Sequence, residues 1–227
     1  MASFRDRKHA GRILASKISE INSDLNETYI VAIPNGGIPV ALPIANAYDM
    51  PLYVLIARKI QYPWTTESGY GALTSDGIEV YNQAAVQRAN MSEESMKNQK
   101  QKAMQQILGR EEFFFEHLLP EKIPEKRVIL VDDGLASGIT MTAAIKSLVK
   151  RGADRVIVAV PTAHKQSIDK IENLPTAREI KLRVIAEDVK SGWSFAVASA
   201  YENWFDETKE HTKTLLDEYN SQVIKKE

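Results

Sequence analysis

The spacing of apolar residues changes period along this chain and divides it into segments. Ala10, Ile13, Leu14, Ile18 and Ile21 fall at helical spacing, behind a start at Ser3 and Asp6 that resembles a capping box. Tyr29–Ile33 is short and continuously apolar, as a buried strand is, and Pro34-Asn35-Gly36-Gly37 breaks it. Pro39 suits the first turn of a helix running to about Tyr48, although Pro43 sits awkwardly inside it. Leu52–Ala57 reads as the next strand, and Gln61–Gly71 is polar and aromatic without period. Leu73–Thr74 and Ile78–Tyr81 flank Ser75-Asp76-Gly77, a hairpin signal. Ser92 is placed to cap a long helix running to about His117 and ending near Pro120.

The second half alternates more regularly. Val128–Val131 is an unbroken aliphatic run, followed by a helical pattern that Gly152 stops. Val156–Val160 and Leu182–Ala186 are further strands, separated by a helix at about Lys165–Glu172. Trp193–Phe205 mixes aromatic and small residues, and a last amphipathic helix begins near Asp206. Strands alternating with helices predict an α/β fold, with a doubly wound, mostly parallel sheet flanked by helices.

Chemistry concentrates in Arg127–Thr142, RVILVDDGLASGITMT. A buried strand is followed at once by Asp132 and Asp133. A loop of Gly134, Leu135, Ala136, Ser137, Gly138, Ile139 and Thr140 then opens a helix. Small residues let the backbone approach a ligand. Amides at a helix start bind phosphate, and Ser137 and Thr140 add hydroxyl donors. The carboxylates stand at the carboxyl end of a strand, where α/β sheets bind ligands. They suit sugar hydroxyls or a hydrated Mg²⁺. Together these parts describe a ribose 5-phosphate site. Without a ligand, the same residues would be an ordinary strand–loop–helix crossover.

Composition narrows the picture. The chain has 227 residues, 44% of them hydrophobic, enough for one large α/β domain over 1–227 with a helical insertion near 92–117. Net charge is −1, so no global field favours nucleic acid or an anionic membrane. Having no cysteine excludes disulfides, thiolate metal sites and a Cys nucleophile. No stretch approaches about 20 apolar residues, and the amino terminus lacks a signal-peptide core, so a soluble, cytoplasmic protein is expected. His9, His117, His164 and His211 show no metal spacing. No internal repeat, P-loop or Gly-x-Gly-x-x-Gly is present.

The Arg127–Thr142 segment resembles the signature of type I phosphoribosyltransferases, which bind phosphoribosyl pyrophosphate (PRPP): four hydrophobic residues, two acids, then a small-residue loop ending in Gly-x-Thr. The resemblance implies that Asp132 and Asp133 hold the ribose hydroxyls and that Gly134–Thr140 holds the 5-phosphate. Asn35, Gly36 and Gly37 resemble, in position and type, the family's pyrophosphate loop, although such a sequence can also be only a turn. Arg58 and Lys59 stand where the family often has a basic residue near the pyrophosphate. A solvated strand end is the other reading. Gln61–Gly71 occupies the place of the mobile loop that closes over PRPP, where Trp64 and Tyr70 could cover the site or meet a partner subunit. A small base-recognising hood is expected near 188–205, with Trp193 or Phe195 stacking on a heterocycle. Tyr201, Trp204 and Phe205 read as core caps. Arg5, Asp6 and Arg7 read as a solvated helix face, a subunit contact or an anion site, and Lys97–Lys102 as solvated.

The resemblance implies transfer of the 5-phosphoribosyl group of PRPP to a nitrogen of a nucleobase or related acceptor, as in nucleotide salvage. Pyrophosphate leaves and Mg²⁺ compensates charge. Hypoxanthine–guanine enzymes often carry Asp at the loop position held here by Ala136, which points toward adenine-type or uracil-type acceptors. A homodimer using the Ser92–His117 helix is expected. A non-catalytic PRPP-sensing regulator on the same fold stays open.

Overall fold

The computed structural model describes residues 2–21, 27–65, 68–123, 126–192 and 195–224. Helix α1 (Arg7–Ile21) leads to β1 (Thr28–Ala32), α2 (Gly37–Tyr48) and β2 (Leu52–Val54). Strands β3 (Ala57–Gln61), β4 (Gly69–Thr74) and β5 (Glu79–Tyr81) follow, then α3 (Gln83–Ala89) and α4 (Glu93–Phe113). The second half runs β6 (Lys126–Val131), α5 (Ile139–Lys150), β7 (Ala153–His164), α6 (Lys165–Glu172), β8 (Lys181–Lys190) and α7 (Lys209–Ile224).

Five strands form one parallel sheet in the order β2-β1-β6-β7-β8. The aliphatic run of β6 is buried on both faces. Ile129 and Val131 pack with Leu14, Ile18, Ile38 and Ile44, while Val128 and Leu130 pack with Met141, Ile145, Leu148 and Ile171. Helices cover both faces, which is why the strand shows no alternation. The chain proceeds outward from β1 to β2 on one side, and from β6 through β7 to β8 on the other. The carboxyl ends of β1 and β6 therefore flank the point where the winding reverses, where such sheets leave a crevice.

Strands β3, β4 and β5 form a separate antiparallel sheet. It docks on α5, where Ser147 Oγ donates to Asp76 Oδ2 at 2.9 Å and Lys150 reaches the Asp76 carbonyl. The Ser75-Asp76-Gly77 turn forms as expected, with Gly77 at φ 85° and Thr74 accepting from the amide of Gly77.

Several boundaries differ from the sequence reading. Leu52–Ala57 is not one strand: Leu52–Val54 ends in the parallel sheet and Ala57 begins the antiparallel one. All six residues are apolar and, apart from half-buried Tyr53, buried, so hydrophobicity could not mark the break. Asp6, not Ser3, caps α1 by accepting from the His9 amide at 2.7 Å, and Ser3 Oγ donates to Asp188. Gln61–Gly71 is a hairpin end rather than one loop, since β3 and β4 take both flanks. Helix α3, capped by Asn82, was not expected, and α7 begins at Lys209. Pro43 lies within α2, where it lacks the amide that would otherwise donate one turn back.

Candidate functional site

The phosphate-loop candidate is anchored to its neighbouring strand. Leu135 donates its amide to Thr162 O at 2.9 Å and accepts from the His164 amide at 2.9 Å, and Ser167 Oγ reaches the Ala136 carbonyl. Gly138 takes φ 75° immediately before α5, a left-handed conformation that suits glycine. Thr142 bonds back to Gly138 O, so the first turn of α5 is set with its leading amides directed out of the helix end. Gly134–Met141, Asp132 and Lys59 line one cleft of about 140 Å³. The structure thus brings Lys59 from the antiparallel sheet to the loop that follows β6.

The two acids have different surroundings. Asp132 lines this cleft, and its Oδ1 accepts from the Asp133 amide at 2.9 Å. Burial pushes the Asp132 carboxyl well above the usual range, and the charge of Asp133 adds to the shift. Asp133 is committed to protein partners. Its Oδ2 accepts from Arg7 Nε at 3.0 Å and Arg7 Nη2 at 2.9 Å. Burial raises the Asp133 carboxyl too, and the Arg7 guanidinium opposes the rise. Tyr201 donates its hydroxyl to the Asp133 carbonyl at 2.6 Å, and burial pushes its phenol up strongly.

Arg7 is not on a solvated face. It is 5% exposed, and its guanidinium lies 3.9 Å from the centroid of the Trp204 ring. Its Nη1 donates to Phe205 O at 2.8 Å and stands 3.9 Å from Glu207 Oε1. The sequence carries a signal for this. Arg7 shares the helical face of Ala10, Leu14 and Ile18, which are buried. Its charge, in a dense charged segment, masks that spacing when the sequence is read alone.

The second loop packs directly on the acids. A Cβ at Gly36 would lie 2.0 Å from Asp133 Oδ2, and one at Gly37 2.6 Å from Val131 O. These glycines are therefore required for the close approach of the β1 and β6 loops. The Pro34–Asn35 peptide is cis. The Asn35 side chain is engaged at both ends: Nδ2 donates to Glu207 O at 2.6 Å, and Oδ1 accepts from Arg110 Nη1 at 2.7 Å.

Arg58 and Lys59, adjacent in sequence, point to opposite faces of β3. Lys59 reaches the cleft, whereas Arg58 Nη2 donates to Gln106 Oε1 on α4 at 3.1 Å. Burial lowers the Arg58 guanidinium, and burial with Arg58 nearby brings Arg110 down to about 10. Arg110 was not foreseen. It shares the inward face of α4 with buried Ala103, Ile107 and Phe114, but that face is sparse in a mostly polar helix, so the spacing does not single out a cation.

Trp193 lies outside the described residues. Phe195 is half-buried and meets the His164 ring edge-on at 6.0 Å, while Val197 covers Gly134. Tyr70 is fully buried and does not lie over the cleft, whereas Trp64 is 65% exposed and stacks on Tyr62 at 5.1 Å. Tyr201 is buried as a core cap, but Trp204 and Phe205 are exposed on one side and pack on Arg7. His117 is buried against Asp217, and Lys213 Nζ sits between Asp217 and Glu116, supplying positive charge to that cluster.

A parallel α/β sheet whose acid-bearing strand opens into a phosphate-type loop at the winding reversal defines the phosphoribosyltransferase class of fold. The chain belongs to this family: the model of the phosphoribosyl transferase domain matches residues 3–199. A Mycobacterium tuberculosis H37Rv protein provisionally named phosphoribosyl transferase Rv0571c is 32% identical over 161 residues, 71% of this chain and 36% of the relative. The match thus spans little more than a third of that relative. The crystal structure of TT1426 from Thermus thermophilus superposes with a TM-score of 0.73 at 27% identity, covering 96% of this chain and 99% of the other. A shorter stretch of 63 residues, 28% of this chain and 31% of the relative, is 36% identical to transcriptional regulator GfcR of Methanosphaera stadtmanae. No helix among the described residues is long and apolar enough to cross a membrane.

Proposed function

We propose that this protein is a PRPP-dependent transferase that moves the 5-phosphoribosyl group to a ring nitrogen of a base and releases pyrophosphate. The observation carrying this reading is the single cleft formed by Lys59, Asp132 and the loop Gly134–Met141. Loop amides and Lys59 would hold the 5-phosphate, and the Asp132 carboxylate would accept from a ribose hydroxyl. The C1–O bond breaks with its electron pair going to the diphosphate. The lone pair of the acceptor nitrogen forms the C1–N bond, and the nitrogen's proton passes to water. The transition state is oxocarbenium-like, so positioning and stabilisation of the leaving group are the protein's main tasks.

Mg²⁺ fits this site because Asp132 offers a hard oxygen ligand beside the expected diphosphate, directly or through water. Its chemistry is compensation of diphosphate charge. Asp133, whose Oδ2 is held by Arg7, would contribute to any such cation through water. Ala136 has no proton to exchange, which favours adenine-like or uracil-like acceptors over those of the hypoxanthine–guanine type. A homodimer through α4 is part of the proposal, since Leu108 and Phe115 are 56% and 65% exposed in that region.

A second reading, a PRPP-sensing regulator, draws on two observations. Asp133 is already occupied by Arg7, and one relative is named a transcriptional regulator. Calorimetric titration of PRPP with and without Mg²⁺ tests what the two readings share. Mg²⁺-dependent binding is expected, and absence of binding refutes both. Release of pyrophosphate on adding adenine or uracil then separates enzyme from sensor.

A further inference from the structure

The residues leading into α1 and the segment leading toward α7 are laced together beside the acid pair. The Ser3 and Phe4 amides both donate to Ala200 O at 2.9 Å, and the Glu202 and Asn203 amides donate to Phe4 O and Arg5 O at 2.8 Å. These two segments, distant in the chain, grip Asp133 together with the glycine loop. Arg7 donates twice to its Oδ2, Tyr201 donates to its carbonyl, and the backbone of Gly36 packs against its carboxylate. The guanidinium is itself held, by the Trp204 ring that it stacks on and by the Phe205 carbonyl.

This grip fixes a peptide unit. The Asp133 amide donates to Asp132 Oδ1 at 2.9 Å. A residue clamped at its side chain and at its carbonyl keeps its amide in place, and that amide sets the rotamer of the Asp132 carboxyl lining the cleft. Arg7 also acts by charge. The charged and titratable groups facing the pair, among the described residues, are Arg7 on α1, Lys59 on β3, and Tyr201 and Glu207 before α7. Burial raises both carboxyls, the charge of Asp133 adds to the rise at Asp132 and that of Glu207 to the rise at Asp133, and Arg7 opposes the rise at both. We propose that Arg7 is the positioning residue of the ribose site: through Asp133 it holds the Asp132 carboxyl in place, and it supplies the counter-charge that lets Asp132 meet a ribose hydroxyl as a carboxylate. Arg7 touches no substrate atom in this role. The inference rests on the transferase reading given above and adds to it a role for α1.

The test is calorimetry of ribose 5-phosphate with Mg²⁺ between pH 5.5 and pH 8.5, below each protein's melting temperature. The ligand's own phosphate titrates alike in every experiment, so the differences between proteins carry the result. Arg7→Met is expected to bind roughly 20-fold or more weakly than wild type at pH 6 and only about fivefold more weakly at pH 8.5, because the acid pair keeps a proton to higher pH without the guanidinium. Arg7→Lys keeps the charge without the fork, so it should recover the wild-type pH dependence and part of the affinity. Tyr201→Phe loosens the peptide and leaves the charge, so a loss of roughly two- to fivefold at every pH is expected. Binding by Arg7→Met like that of wild type at every pH overturns the role of Arg7 and leaves the transferase reading intact. An equal loss at every pH that lysine does not restore does the same, since a merely structural residue would give that result. Should Arg7→Met not fold, Asp133→Asn decides. It keeps the Arg7 charge and removes the neighbouring negative one, so affinity should decline at lower pH than in wild type, and a decline at the wild-type pH or above overturns the proposal. Absence of ribose 5-phosphate binding by the wild-type protein at every pH overturns both this role and the transferase reading.

Discussion

Replacing Arg7 by methionine removes a buried cation while keeping an unbranched side chain against Trp204. The wild-type pair is 6% and 17% exposed at its two side chains, so solvent screening weakens it little. Two charge-assisted hydrogen bonds to Asp133 Oδ2, at 3.0 and 2.9 Å, are lost together with the bond to Phe205 O. Each such bond contributes roughly 1.5–3 kcal/mol, and breaking a buried pair from one side typically costs about 3–5 kcal/mol because the other charge is left behind. Methionine also avoids the desolvation of the guanidinium, so a net loss of about 3 kcal/mol is expected. For a chain of this size that lowers the melting temperature by roughly 6–12 °C near neutral pH.

The loss should depend on pH. Burial already raises the Asp133 carboxyl, and Arg7 opposes that rise. Without Arg7 its folded-state pKa climbs further above the unfolded value. Between those two values the folded state holds a proton that the unfolded chain has released. Stability of the variant therefore falls as pH rises through that window and recovers as pH falls. Thermal unfolding of both proteins at pH 5 and pH 8 checks this, with the smaller difference expected at pH 5. A loss under about 2 °C at pH 8, or an equal loss at both pH values, refutes the account of Arg7 as the partner of a strained carboxylate.

Gly36→Ala should destabilise by about 1–3 kcal/mol and weaken PRPP binding, because its Cβ would meet Asp133 Oδ2 at 2.0 Å; denaturant unfolding and titration check both. Asp132→Asn should lose ribose 5-phosphate binding while matching or exceeding wild-type melting temperature at neutral pH, since it removes a buried charge whose carboxyl is pushed well up. Tyr201→Phe should cost about 1 kcal/mol through loss of the bond to the Asp133 carbonyl, read by chemical denaturation. Lys59→Met should weaken ribose 5-phosphate binding at least about tenfold by calorimetry without lowering stability by more than about 1 kcal/mol.

The parts of the site that could be read in advance are contiguous in the chain. Val128–Val131, the acids and the glycine–hydroxyl loop occur in order, and each follows from local chemistry: a run for burial, a left-handed Gly138, hydroxyls at a helix start. The hairpin turn at Ser75-Asp76-Gly77 was legible for the same reason. The parts that were missed depend on which distant groups meet. Arg58 and Lys59 look like one cationic pair, yet the pleat of β3 sends them to different loops. Trp204 and Phe205 look like core aromatics, yet they remain exposed and pack on a guanidinium.

Sequence alone therefore determined the α/β alternation, the apolar runs that become the parallel strands, and the chemistry of the loop after β6. These depend on periodicity and on backbone preferences within a few residues, which no distant contact alters. Tertiary structure decided which charges are compensated. Asp133 finds Arg7 across 126 positions, Asn35 finds Arg110 across 75, and Asn35 also finds the Glu207 carbonyl across 172. Pairing over such separations is set by how the helices and the second sheet dock on the parallel one. The same docking leaves Asp132 in the cleft and Asp133 beneath it, a distinction that two adjacent aspartates cannot carry in their sequence.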